Sequence, residues 1–170
     1  MKKSVSLLLL ALCSGSIAVS EEIEMFAPDG KPFALEADRI QEGESGNLIG
    51  TGRIEARHGN VIIRCTGQAT VYVSHGNFSA IEAHGLIEAD TDGKKLWSNR
   101  LFYDEPRRLL TLSGNPRALE GKTRYSAEKR ILCYTETGVM KFEPRARITI
   151  DNTRGREKSK PRRKKFLGLF

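Results

Sequence analysis

The sequence predicts an all-β protein, a long sheet that rolls up by the addition of similar strand units. Three observations carry that prediction. Between Phe33 and Ile150 apolar residues alternate with polar ones, as in Ile54-Glu55-Ala56-Arg57 and Ala146-Arg147-Ile148-Thr149-Ile150, which is the period of a half-buried strand. Turn residues interrupt the alternation at His58-Gly59-Asn60, His75-Gly76-Asn77, Asp92-Gly93, Ser113-Gly114-Asn115 and Thr137-Gly138, each a sequence that favours a tight hairpin. Finally, the strands repeat, and a unit too small to bury its own apolar face must stack on its neighbours.

The elements follow in chain order. Residues 1–20 open with Lys2 and Lys3, continue through Val5-Ser6-Leu7-Leu8-Leu9-Leu10-Ala11-Leu12-Cys13 and end at Ala18-Val19-Ser20. A basic start, a short apolar stretch and a small-residue end form a secretory signal peptide. An uncleaved membrane anchor is the other reading of the same segment. Residues 21–32 read as a lead-in and residues 33–151 as the folded domain. Within it, Ala37-Asp38-Arg39-Ile40 leads to Leu48–Ala56, and Ser98-Asn99-Arg100-Leu101-Phe102-Tyr103 leads to Leu109–Ala118. Looser copies start at Ala69-Thr70-Val71-Tyr72 and at Lys129-Arg130-Ile131. The copies begin about 30 residues apart, the span of a few strands with their turns. Residues 152–170 form a basic tail, read as disordered, closed by Phe166-Leu167-Gly168-Leu169-Phe170.

Composition limits what such a domain does. The 170 residues carry 28 Lys and Arg against 21 Asp and Glu, a net charge of +7. Lys2, Lys3 and eight basic residues between Arg154 and Lys165 supply the excess, against only Glu157, so 18 basic and 20 acidic residues remain in the body. That balance excludes a basic nucleic-acid-binding fold. No apolar run reaches the ~18 residues of a membrane span, which excludes a multi-span transporter.

Catalytic and metal-binding patterns are missing as well. His58, His75 and His84 adjoin glycine-containing turns or strand ends and read as exposed rather than catalytic. Asp90-Thr91-Asp92-Gly93 opens like a calcium loop but lacks the later acidic ligands, so it reads as a hairpin turn. Nothing resembles a nucleophile elbow or a His-Glu-x-x-His helix, and the expectation is a protein with no catalytic residue, metal or cofactor. Once the signal is removed, Cys65 and Cys133 are the remaining thiols. In an oxidising compartment they are candidates for a disulfide worth ~4 kcal/mol; two buried free thiols are the alternative.

Alternation assigns an inward apolar stripe comprising Ile54, Ala56, Val61, Ile63, Cys65, Val71, Val73, Ile81, Ile87, Leu110, Leu112, Met140, Phe142, Ile148 and Ile150. For any one of these residues taken singly, ordinary core packing is the better explanation of the pattern.

The order and spacing of the motifs add a resemblance. "ADRI…GTGRIEARHGNVIIR", then "SNRLFYDEPRRLLTLSGNPRALEG", then "RILCYT" resemble the OstA/LptA-like family of periplasmic lipopolysaccharide-transport proteins over residues 33–150. The basic tail and the single Trp97 depart from that pattern. The resemblance implies an open-ended, twisted antiparallel β-jelly roll in the periplasm. Its inward stripe would shield the acyl chains of lipid A in lipopolysaccharide. The partners implied are inner-membrane and outer-membrane transport components, docked through edge strands, with head-to-tail self-association and no nucleic acid. The edges expected to dock are Phe33–Glu36 and Arg147–Asp151.

Overall fold

The structure is a computed structural model and describes residues 20–150. The signal-peptide and tail segments therefore lie outside the described residues, apart from Ser20. Twelve antiparallel strands form one sheet: β1 (Glu21–Phe26), β2 (Pro32–Glu42), β3 (Leu48–His58), β4 (Val61–Ser74), β5 (Asn77–Thr91), β6 (Lys94–Asp104), β7 (Leu109–Ser113), β8 (Arg117–Glu120), β9 (Thr123–Ala127), β10 (Arg130–Tyr134), β11 (Met140–Glu143) and β12 (Ala146–Ile150). The turns fall where the sequence placed them except at Ser113-Gly114-Asn115, which is corrected: it joins β7 to β8 without reversing the chain, since both pair antiparallel with β6. At Asp92-Gly93 both residues have positive φ (+47° and +73°), as a two-residue hairpin turn requires.

Pairing shows that the sheet is a simple meander. β6 pairs through Lys94–Trp97 with β8 and through Arg100–Asp104 with β7. β9 and β10 then pair with β8 and β7, and β12 and β11 follow outside them. Backbone bonds carry the ladder over the interruptions, among them Asn99 N to Gly114 O (2.9 Å) and Lys129 N to Glu143 O (3.1 Å). The short strands β7–β8, β9–β10 and β11–β12 are therefore halves of three long strands.

Every long strand is interrupted on the same line across the sheet. β2 loses register between Ala37 and Arg39. Gly52, Gly67 and Gly85 stand opposite one another on β3, β4 and β5, with φ of +93°, +150° and +127°. Only glycine takes such values freely inside a strand. The line continues through Asn99, Gly114 and Pro144. Along it the sheet folds back on itself, so each long strand contributes one half to each of two layers. Phe33 of one layer and Phe78 of the other stack with ring centroids 3.9 Å apart. The sequence repeat is registered on this crease: Asp38, Gln68, Asn99 and Lys129 all cross it, about 30 residues apart, which is two strands with their turns.

Two expectations are corrected here. Residues 21–26, read as part of a lead-in, form β1 and pair with Pro32–Ala37. Ile23 and Met25 alternate inward while Glu21, Glu22 and Glu24 face solvent, the charge pattern of a protected edge strand. Phe33–Glu36 is consequently an interior segment, and β1 is the edge there. At the other end, β12 pairs with β9 alone, so Arg147–Ile150 is an edge as expected.

Candidate lipid-binding interior

The space between the two layers is apolar because alternation and register agree. Residues directly opposite in an antiparallel pair share a face. Leu35, Ala56, Ile63, Ala89, Leu96, Ala118, Tyr125 and Ile148 form one such row in one layer. Val71, Ile81, Tyr103, Leu110, Cys133 and Met140 form another in the second layer. Of the residues assigned to the stripe, Ile54, Val61, Ile63, Val71, Ile81, Ile87, Leu110 and Leu112 are buried between the layers, and Val73, Met140 and Phe142 are half-buried. Phe33, Phe78, Leu96, Leu101 and Ile131 belong to the same core and were not assigned. Leu96 and Leu101 flank the crease crossing of β6, where strict alternation breaks, which hid them.

The stripe is covered in the middle and uncovered at one end. Leu96, Leu101, Leu112 and Ile131 are essentially inaccessible, whereas Ile148 and Ile150 are 59% and 60% exposed. The expectation that Ile148 lies in a shielded interior is thus corrected. It faces the apolar side, but among the described residues no strand lies beyond β12 to cover it. Tyr125 and Phe142 stack 5.2 Å apart just inside this mouth and bridge the two layers.

Opposite the crease, the free lips of the layers are tied by a polar clasp. One layer supplies Asp29, His58 and Asn60; the other supplies Glu105, Arg108 and Thr135. The Arg108 guanidinium donates through Nη1 to His58 Nε2 (2.8 Å), lies 3.2 Å from Glu105 Oε1, and donates through Nη2 to Asp29. Since a guanidinium only donates, His58 accepts at Nε2 and its Nδ1–H points to the Pro32 carbonyl (3.3 Å). Asn60 Nδ2 donates to Asp92 (2.7 Å) and to the Thr135 carbonyl (3.4 Å), and the Thr135 amide donates to the Arg108 carbonyl (2.8 Å). His58, expected at an exposed turn, is instead buried with 2% of its side chain accessible. Its partner lies fifty residues away in sequence, so no local pattern could place it.

Asp29, His58 and Glu105 bring three ligand-type atoms within 4.8 Å of one another. Arg108 touches all three, so the cation at this node is the guanidinium itself. Partial burial pushes the Asp29 carboxyl up, but the Lys31 amide and Arg108 outweigh it and hold it down at about 2. The thiols lie on opposite margins, both buried and free. Cys65, beside the crease, donates weakly to the His84 carbonyl (3.4 Å). Cys133 lies toward the clasp, and burial raises its thiol to about 11.

Together these features define an open-ended β-jelly roll with an apolar interior, a fixed crease and a side-chain clasp. No family model matches the sequence, and no curated protein matches it. Among solved structures, the chain is similar to the crystal structure of LptH, the LptA homologous periplasmic component of the conserved lipopolysaccharide transport device from Pseudomonas aeruginosa. The two are 13% identical with a TM-score of 0.61, and the likeness covers 71% of this chain and 95% of that one. At that identity the likeness is one of fold, and the fold is the jelly roll expected from the OstA/LptA-like resemblance. Among the described residues no helix is long and apolar enough to cross a membrane.

Proposed function

We propose that this protein is a non-enzymatic periplasmic component of lipopolysaccharide transport, which shields lipid A acyl chains along its inward stripe and helps bridge the inner and outer membranes. The observation that carries the reading is the continuous apolar row that emerges uncovered at Ile148 and Ile150. A bare twelve-carbon chain in water costs on the order of 10 kcal/mol, at ~0.8 kcal/mol per methylene. A half-buried mouth at Tyr125, Phe142 and Ile148 recovers part of that cost and leaves the lipid free to move on. Passage deeper, past Leu96 and Leu112, requires the layers to part.

Docking uses the two edges. β1 presents Glu21, Glu22 and Glu24, whereas β12 carries Arg147 and follows Arg145. Opposite charges on opposite ends favour head-to-tail pairing of copies, or of this roll with neighbouring jelly-roll components. The tightly packed middle supports a second reading, a structural β-protein whose interior is simply filled.

Photo-crosslinkers at Phe142 and Ile148, with Phe102 on the outer face as control, separate the two readings in cells. Lipopolysaccharide captured at the first two positions and not at the third is the expected result. No capture at either mouth position ends the carrier reading. Proline at Ile148 is expected to reduce assembly more than folding, and unchanged assembly removes the edge from the account.

A further inference from the structure

The strand that ends the roll is amphipathic across the sheet. Ile148 and Ile150 face the apolar interior, while Arg147 and Thr149 face outward over a cleft of about 420 Å³. The register across this outer face is Trp97, Arg117, Ser126, Arg147, in that order. Arg117 and Arg147 thus flank Ser126, about 10 Å apart at their Cα atoms, two strand spacings. Arg124 and Thr149 complete the polar lining, and no Asp or Glu lines the cleft. Trp97 Nε1 donates to Glu88 (3.1 Å), which fixes the indole by its edge. A second cleft of about 770 Å³ shares Trp97 and Arg117 and adds the amides of Asn99 and Asn115, but it is also lined by Glu36, Asp38, Glu55 and Glu88, so the anion is assigned to the carboxylate-free cleft alone.

We propose that this outer face binds a phosphorylated saccharide, the headgroup of the amphiphile whose acyl chains enter beneath β12; the proposal rests on the carrier reading for the identity of that amphiphile. Guanidinium groups pair with phosphate through two parallel hydrogen bonds. Hydroxyl and amide side chains suit sugar hydroxyls, and the flat indole suits the C–H face of a sugar ring. The arrangement lets one molecule straddle the last strand, with its charged part on the arginine side and its chains on the isoleucine side.

The probe is deacylated lipopolysaccharide, a phosphorylated oligosaccharide without chains, titrated into the full chain. Trp97, the single tryptophan, reports binding by its fluorescence. A saturable change is expected, weakened at least tenfold by Arg117→Gln with Arg147→Gln, weakened similarly by removing phosphate from the probe, and unaltered by Lys141→Gln on the opposite layer. Undiminished binding by the double variant overturns the proposal, as does equal weakening by Lys141→Gln. Inorganic phosphate that competes at the same concentration as the probe also overturns it, because the site is then an anion site only. Both arginines are exposed, so an unchanged circular dichroism spectrum separates lost binding from lost folding. Because the probe lacks acyl chains, its binding stands or falls independently of crosslinking at Phe142 and Ile148.

Discussion

The two long margins of the roll close the same interior by opposite means. At the crease the chain itself passes from one layer to the other, and on β3, β4 and β5 closure depends on backbone that only glycine adopts freely. At the lips nothing covalent crosses, and closure rests on Arg108 between Asp29, His58 and Glu105, with Asn60 and Thr135 beside it. One margin is a fixed fold line and the other a releasable one. Any separation of the layers must therefore begin at the lips.

The largest expected effect comes from breaking the fixed margin. A Cβ at Gly67 would stand 2.3 Å from the His84 carbonyl oxygen, and one at Gly85 would stand 2.1 Å from that of Thr66. Because both obstacles are backbone, Gly67→Val or Gly85→Val should cost more than ~4 kcal/mol and leave the domain unfolded by circular dichroism. Gly76→Ala, at a turn where a Cβ meets nothing within 4 Å, should cost only about 1 kcal/mol. Equal effects at the two sites would show that the crease is no more demanding than a hairpin.

Breaking the releasable margin should cost less and act locally. Arg108→Ala leaves the buried Glu105 carboxylate and the His58 acceptor without their donor, a loss of about 3 kcal/mol in chemical denaturation. The two thiols sharpen the contrast. In the native protein both should alkylate slowly at pH 8, since burial raises each thiol. In Arg108→Ala the Cys133 rate should rise while the Cys65 rate does not. Parallel acceleration of both would mean global unfolding rather than an opened lip.

The pH dependence is a smaller effect confined to the same margin. Asp29 has its folded-state pKa lowered, so its contribution is fully present above the ordinary carboxylate value of 3.8 and is lost as pH falls through about 2. Acid should therefore loosen the lips between about pH 4 and pH 2, and Asp29→Asn should flatten the stability profile over that window. The smallest effect is expected at the exposed Arg53–Asp38 pair (3.0 Å) on the outside of the crease. Asp38→Asn should leave the denaturation midpoint essentially unchanged in the same assay, because solvent screens the pair.

Much of the fold was legible because strands announce themselves locally. Alternation assigned the buried faces of Ile54, Ile63 and Leu112, and the glycine turns at Gly59, Gly76, Gly93 and Gly138 fixed four hairpins, whereas Gly114 read as a turn and lies on the crease. The 30-residue repeat was visible too, although its physical basis was not. Gly52, Gly67 and Gly85 look like scattered strand glycines until pairing brings them side by side. His58 read as a turn residue because its burial depends on a turn fifty residues later. β1 was missed since three glutamates in six residues disguise two inward positions, a disguise that only an edge strand tolerates. The outer arginine face escaped for the same reason as the crease: Trp97, Arg117 and Arg147 become neighbours only through the ladder.

Registering the repeat on the crease makes length and cross-section independent. Each further pair of strands lengthens the roll by about 10 Å, two strand spacings, and repeats the same fold line and the same inward row. A duplicated unit would not need a redesigned interior; it would extend the existing corridor. The distance such a roll spans can thus be set by counting units, as marks are counted along a ruler.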